Sequence, residues 1–143
     1  MDWYGEITVN TGSVDWGSVP PGADFGPSTS QTGIEVIYIA NGAYDENVAA
    51  SGNWIGASAN ATLEETGNPA ANQFSLRVYD SDVFGSSVLV EQSPSYVNID
   101  NSGLQTGESG DNVTANTLWL KLGTPFTIDT YNGTIYYQIS EGS

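Results

Sequence analysis

The sequence predicts an all-β protein, an antiparallel sandwich of two sheets built from about seven to nine strands. Three observations predict it. First, apolar residues recur with a period of two near the C-terminus, where Tyr131, Gly133, Ile135, Tyr137 and Ile139 share one parity. Asn132, Thr134, Tyr136 and Gln138 share the other, so an extended chain presents one apolar and one polar face. Second, Leu118, Leu120 and Leu122 repeat the pattern upstream, with Trp119 and Lys121 pointing the opposite way. Third, seventeen glycines among many Ser, Thr and Asn punctuate the chain as turns between short strands do, and no window carries a convincing helical period. A chain of 143 residues is the size of one domain, so residues 1–143 are read as a single sandwich.

In chain order, residues 6–10 (EITVN) alternate and read as a first strand with Ile7 and Val9 inward. In residues 15–22 (DWGSVPPG), Trp16 and Val19 are placed to dock on the sandwich edge, while Pro20-Pro21-Gly22 stops ladder pairing and turns the chain. Residues 23–31 read as loop. Residues 33–41 (GIEVIYIAN) are the most apolar run, with Ile34, Val36 and Tyr38 on one face and Ile37 and Ile39 on the other. Such a strand is buried on both sides or carries a bulge. Residues 47–55 are predicted as one strand and residues 57–71 as a long connection or irregular edge. Residues 73–79 (QFSLRVY) form a strand with Phe74, Leu76 and Val78 inward and Arg77 outward. Short strands follow at 87–91 and 96–99, then a polar stretch over 100–114. Asn132-Gly133 is a hairpin signal by itself. The parity that runs straight through it predicts instead an unbroken final strand, with the turn earlier, at 124–129.

Composition excludes several functions. There is no Cys and no His, which removes zinc-thiolate sites, Cys nucleophiles, Ser-His-Asp triads and His general bases. Arg77 and Lys121 are the only basic side chains against seventeen carboxylates, for a formal charge of −15. That sign repels nucleic acid and anionic lipid, so neither is expected as a direct partner. Solubility in salt and weak cation binding suit it better. No apolar run approaches the roughly 18 residues that span a membrane as a helix, so no direct membrane insertion is expected. Met1 followed directly by a strand reads as an introduced start, and Glu141-Gly142-Ser143 as a cut edge.

The order of strand, DWGSVPPG, a strand ending in Ile39-Ala40-Asn41-Gly42, a late LWLKL and a final Tyr-x-Gly-Thr-Ile resembles a group of bacterial and archaeal surface domains. These are immunoglobulin-like sandwiches of cell-envelope, S-layer-associated and biofilm-fibre proteins. The resemblance covers nearly the whole chain and is carried by turns and packing positions. Thr130 stands where the pattern has Gly, and the 100–114 segment is longer than the pattern. The resemblance implies an immunoglobulin-like, non-catalytic structural or adhesive module, extracellular or on the cell surface. Its expected partners are other surface or matrix subunits, and the acidity adds an archaeal expectation.

Four sets of residues remain as candidates for chemistry. Asp80 and Asp82, with Asp100 and Asp111 and the neighbouring Asn101, Glu108 and Asn112, offer oxygens for calcium, though no stretch has the spacing of a known calcium loop. Turn formation and solvation explain the same residues more plainly. Trp119 and Tyr136, outward by alternation, offer an aromatic platform for a polysaccharide, the alternative function. The bland reading has Trp119 packed against a flank or a neighbour. Asn60, Asn112 and Asn132 head Asn-x-Thr sequons, a number that chance supplies in a chain so rich in Asn and Thr. Paired carboxylates for glycoside hydrolysis are not marked out among seventeen acids. Finally, residues 6–10 are a plausible strand donor to the open edge of a neighbouring sandwich.

Overall fold

The computed structural model describes residues 2–103 and 112–142. Among the described residues ten strands make two sheets: β1 Gly5–Val9, β2 Ser30–Ala40, β3 Tyr44–Ala50, β4 Asn53–Ile55, β5 Asn60–Leu63, β6 Gln73–Tyr79, β7 Val88–Leu89, β8 Val97–Gly103, β9 Asn112–Leu122 and β10 Ile135–Glu141. One sheet runs β1-β2-β9-β6-β5-β4, with β7 also on β6; the other runs β10-β3-β8. The all-β, two-sheet expectation holds. The antiparallel expectation is corrected in one place, because β5 lies parallel to β6 through Thr62–Gln73 and Leu63–Phe74. β5 and β7 share one edge of β6, at its start and its end, while β9 takes the other edge.

The period of two identifies the core faces. Phe74, Leu76 and Val78 from β6, Leu118, Leu120 and Leu122 from β9, and Val48 and Ala50 from β3 meet between the sheets. Trp16 and Val19 pack against this cluster from residues 10–22, as their sequence suggests. A second cluster joins Val36, Tyr38 and Ala40 to Tyr44, closed by Trp3, Ile7 and Ile139. β2 carries the anticipated bulge, between Gln31 and Ile34.

Residues 47–55 are not one strand. Ser51-Gly52 is a corner at which the chain leaves β3 in the small sheet and enters β4 in the large one. The 57–71 segment is also more ordered than its composition suggests, since it contains β5. The polar 100–114 stretch is entered from both sides, by β8 as far as Gly103 and by β9 from Asn112.

The C-terminal run resolves around the same corner. There is no hairpin at Asn132-Gly133. Asn132 instead exchanges both backbone hydrogen bonds with Ile55 of β4, at 2.8 and 3.0 Å. Ser51 N–H donates to the Thr134 carbonyl, and regular pairing with β3 starts at Ile135–Ala50. The extended run therefore follows the β3–β4 corner, and its regular strand is shorter than predicted. Gly133 is required by proximity: a Cβ there would run into the Trp54 indole. The turn does lie earlier, in the irregular segment before residue 130.

That segment is tied down by Asp129, whose carboxylate accepts from Ser58 N at 2.7 Å, Ala59 N at 3.2 Å and Thr130 N at 2.8 Å. The Ser58 bond above all, then that from Thr130, holds Asp129 below the ordinary carboxylate range. A lowered acid stabilises the fold above its unfolded pKa and stops doing so as pH falls through the folded value. Asp129→Asn is thus expected to lower Tm at neutral pH, with the gap to the parent closing in melts run at progressively lower pH.

Candidate functional site

One group of three acids among the described residues is close enough to share a single ion: Glu46, Asp80 and Asp100, whose carboxylate oxygens lie within 4.8 Å of one another. Each comes from a different element. Glu46 sits in β3, directly opposite Asp100 on the antiparallel β8, and the register shifts on both sides of Glu46. Bulges of this kind re-aim side chains, here towards the interior. Asp80 follows the last residue of β6, so the triad joins the small sheet to the large one.

Glu46 is 3% exposed, and its Oε1 has no hydrogen-bond partner. Beside it, Tyr38 of β2 is wholly buried, with its hydroxyl facing the Glu46 carboxyl. Burial, and then the neighbouring Asp80 and Asp100 carboxyls, push Glu46 up to about 9. Asp80 is raised by burial and then by its hydrogen bond with Asp100. Tyr38 and Tyr137 are both held above the ordinary phenol range, by burial first and the Glu46 charge next. Tyr79 is raised chiefly by the Asp80 charge. Tyr44 is raised by burial, against a hydrogen bond from Asn112 Nδ2 at 2.8 Å.

The sequence singled out Asp80 and Asp100 and missed Glu46. A signal was there: in YDENVAA, Tyr44, Glu46, Val48 and Ala50 share the inward parity. Asp82 does not join the set; it is exposed beyond the bend that places Asp80. Asp111 and Glu108 lie outside the described residues, as does any statement on the Asn101 side chain.

The aromatic platform is corrected. Trp119 is 2% exposed, on β9 of the large sheet, whereas Tyr136 is on β10 of the small one. The alternation is right, since Trp119 points away from the inter-sheet core, opposite Arg77 of β6. But that outer face is covered. Phe84 meets the indole edge-on at 5.5 Å, and the Arg77 guanidinium lies over the Phe25 and Phe84 rings. Two segments outside the predicted strands, carrying Phe25 and Phe84, make a small second core there.

Among the sequons, Asn60 and Asn132 are exposed. Asn112 spends its amide nitrogen on Tyr44. A cleft of about 850 Å³ between residues 11–21 and 126–135 is lined by Trp16, Trp54, Phe126 and Tyr131 and does not include the acidic triad. Its two carboxylates are held by backbone amides: Asp15 by Gly17 N at 2.7 Å, and Asp129 as above. No described helix is long and apolar enough to cross a membrane. A scan against protein-family models and searches of curated proteins and of solved structures return no match.

Proposed function

We propose that this chain is a non-catalytic structural or adhesive module of an extracellular, cell-envelope or matrix protein, assembling with other subunits through its edge strands. The observation that carries this reading is the position of β1. It lies at the end of the large sheet and pairs with β2 alone, over the five residues from Gly5–Ala40 to Val9–Val36. A short edge strand is the element most easily exchanged with a neighbour, because its ladder can be remade between chains without disturbing the core. A lack of poised acids supports the non-catalytic side. Both cleft carboxylates are engaged by backbone donors, and Glu46, whose carboxyl is strongly raised, is buried away from the cleft. The immunoglobulin-like surface-domain resemblance and the acidic coat point to the same habitat.

Deletion of residues 1–10 is the test. The shortened chain should fail to assemble and should take up a synthetic peptide of residues 1–10 at the vacated β2 edge, with Tm rising as the peptide is added. If the shortened chain melts cooperatively as a monomer, ignores the peptide and still forms the same assemblies, β1 is not the exchanged strand.

A further inference from the structure

The cleft between residues 11–21 and 126–135 has one wall that is fixed only at its ends. Thr11 N–H donates to the Glu35 carbonyl at 3.4 Å, and Gly22 N–H to the Leu122 carbonyl at 3.0 Å. Among the described residues, none of residues 12–21 exchanges a hydrogen bond with a strand or with the facing wall. Val14, Trp16 and Val19 hold the segment by packing on the core, so lifting it breaks apolar contact and no ladder. Trp16 carries a further mark. It lines the cleft, and its Nε1–H is buried without a hydrogen-bond partner, a rare state in native folds. The facing wall is rigid by comparison: the Tyr131 ring meets Phe126 edge-on at 5.2 Å, and its hydroxyl donates to the Thr127 carbonyl at 2.7 Å.

We propose that this cleft binds a neutral oligosaccharide stretch of a polysaccharide, with Trp16 as its principal contact. Its volume of about 850 Å³ is that of a small-ligand site. A sugar ring offers an apolar C–H face and a rim of hydroxyls, and the cleft offers a match for each. Trp16 and Tyr131 supply aromatic surface, while Ser13, Ser18, Asn132 and Thr134 supply uncharged donors and acceptors. Among the described lining residues there is no Lys or Arg, so an anionic ligand finds no counter-charge, and a chain of charge −15 repels it. Asp15 and Asp129 already accept backbone N–H groups, which satisfies part of what a cation would. The rim, residues 11–21 and 126–134, contains no strand, so it offers an extended peptide no ladder to join. A small shift of the 12–21 segment lets Trp16 Nε1–H donate to a sugar hydroxyl. This site goes beyond strand exchange at β1, and either holds without the other.

The experiment is affinity electrophoresis of the whole chain through gels holding a soluble β-glucan, xylan, mannan or galactan, with an anionic polysaccharide in parallel. Tryptophan emission is then titrated with the matching short oligosaccharide, with a proline-rich peptide and with tetramethylammonium. At least one neutral polysaccharide should retard the chain, and its oligosaccharide should shift the emission. Trp16→Ala should weaken binding roughly tenfold or more, on the scale of a lost stacking contact. Trp16→Phe keeps a ring and removes the N–H; it should bind severalfold more weakly, and it gives the readout should the alanine variant fold poorly. Tyr136→Ala, at an exposed position on β10 outside the cleft, should leave binding unchanged. No retardation by any neutral polysaccharide would overturn the site, as would binding kept in full by either Trp16 variant. Emission that answers only to the peptide or to tetramethylammonium would give the cleft another ligand and overturn the sugar assignment.

Discussion

Replacing Trp54 by Ala is expected to cost about 3–5 kcal/mol, a fall in Tm of roughly 6–20 °C by thermal melt. Trp54 lies in a strand pairing of three residues, β4 with β5, yet its side chain reaches three other segments of the fold. Its ring stacks on Phe74 of β6 at 3.7 Å between centroids and lies 6.0 Å from Trp16 of the N-terminal segment. Its other neighbour is Gly133, where the C-terminal run passes. Removing the indole leaves a cavity that three chain segments cannot all close upon. With total stability on the order of 5–15 kcal/mol, that loss is a large share of the whole. A conservative Trp54→Phe should recover much of it. An unchanged Tm in the alanine variant would mean that the corner is not held as described.

Gly123→Ala should be nearly as damaging, about 2–3 kcal/mol, for the opposite reason. Gly123 follows β9, is buried, and donates its N–H to the Gln73 carbonyl at 2.8 Å. A Cβ there would be driven into the Ala70 carbonyl, which is backbone and has no rotamer to swing aside. Ala70 belongs to the tight turn that starts β6, where Gln73 N–H donates back to the Ala70 carbonyl at 3.1 Å. The substitution therefore forces apart the end of β9 and the start of β6, which should appear as a lower urea midpoint with little change in slope.

Much of the architecture is legible as parity. Side chains at 34, 36 and 38, at 74, 76 and 78, and at 118, 120 and 122 are buried as their spacing requires. Parity says which face a residue takes and is silent on which strand lies alongside. Hence the exchange of sheets at Ser51-Gly52 and the parallel β5–β6 pair escaped the sequence, because both are settled by distant partners. Trp119 shows the same limit from another side. It points outward, and two short segments with Phe25 and Phe84 cover it, an event no local pattern announces. For the acids, the sequence offered Asp80 and Asp100 among many. Only the β3–β8 register, which sets Glu46 opposite Asp100, makes them a group.

Amide hydrogen exchange on β1 tests the assembly role most directly, measured on the chain at concentrations below and above the onset of assembly. Exchange at Glu6 to Val9 should slow markedly on assembly, while the central β6 and β9 amides, already protected in the monomer, stay unchanged. Assembly with no change at β1, or a chain that stays monomeric at every concentration reached, would contradict the account.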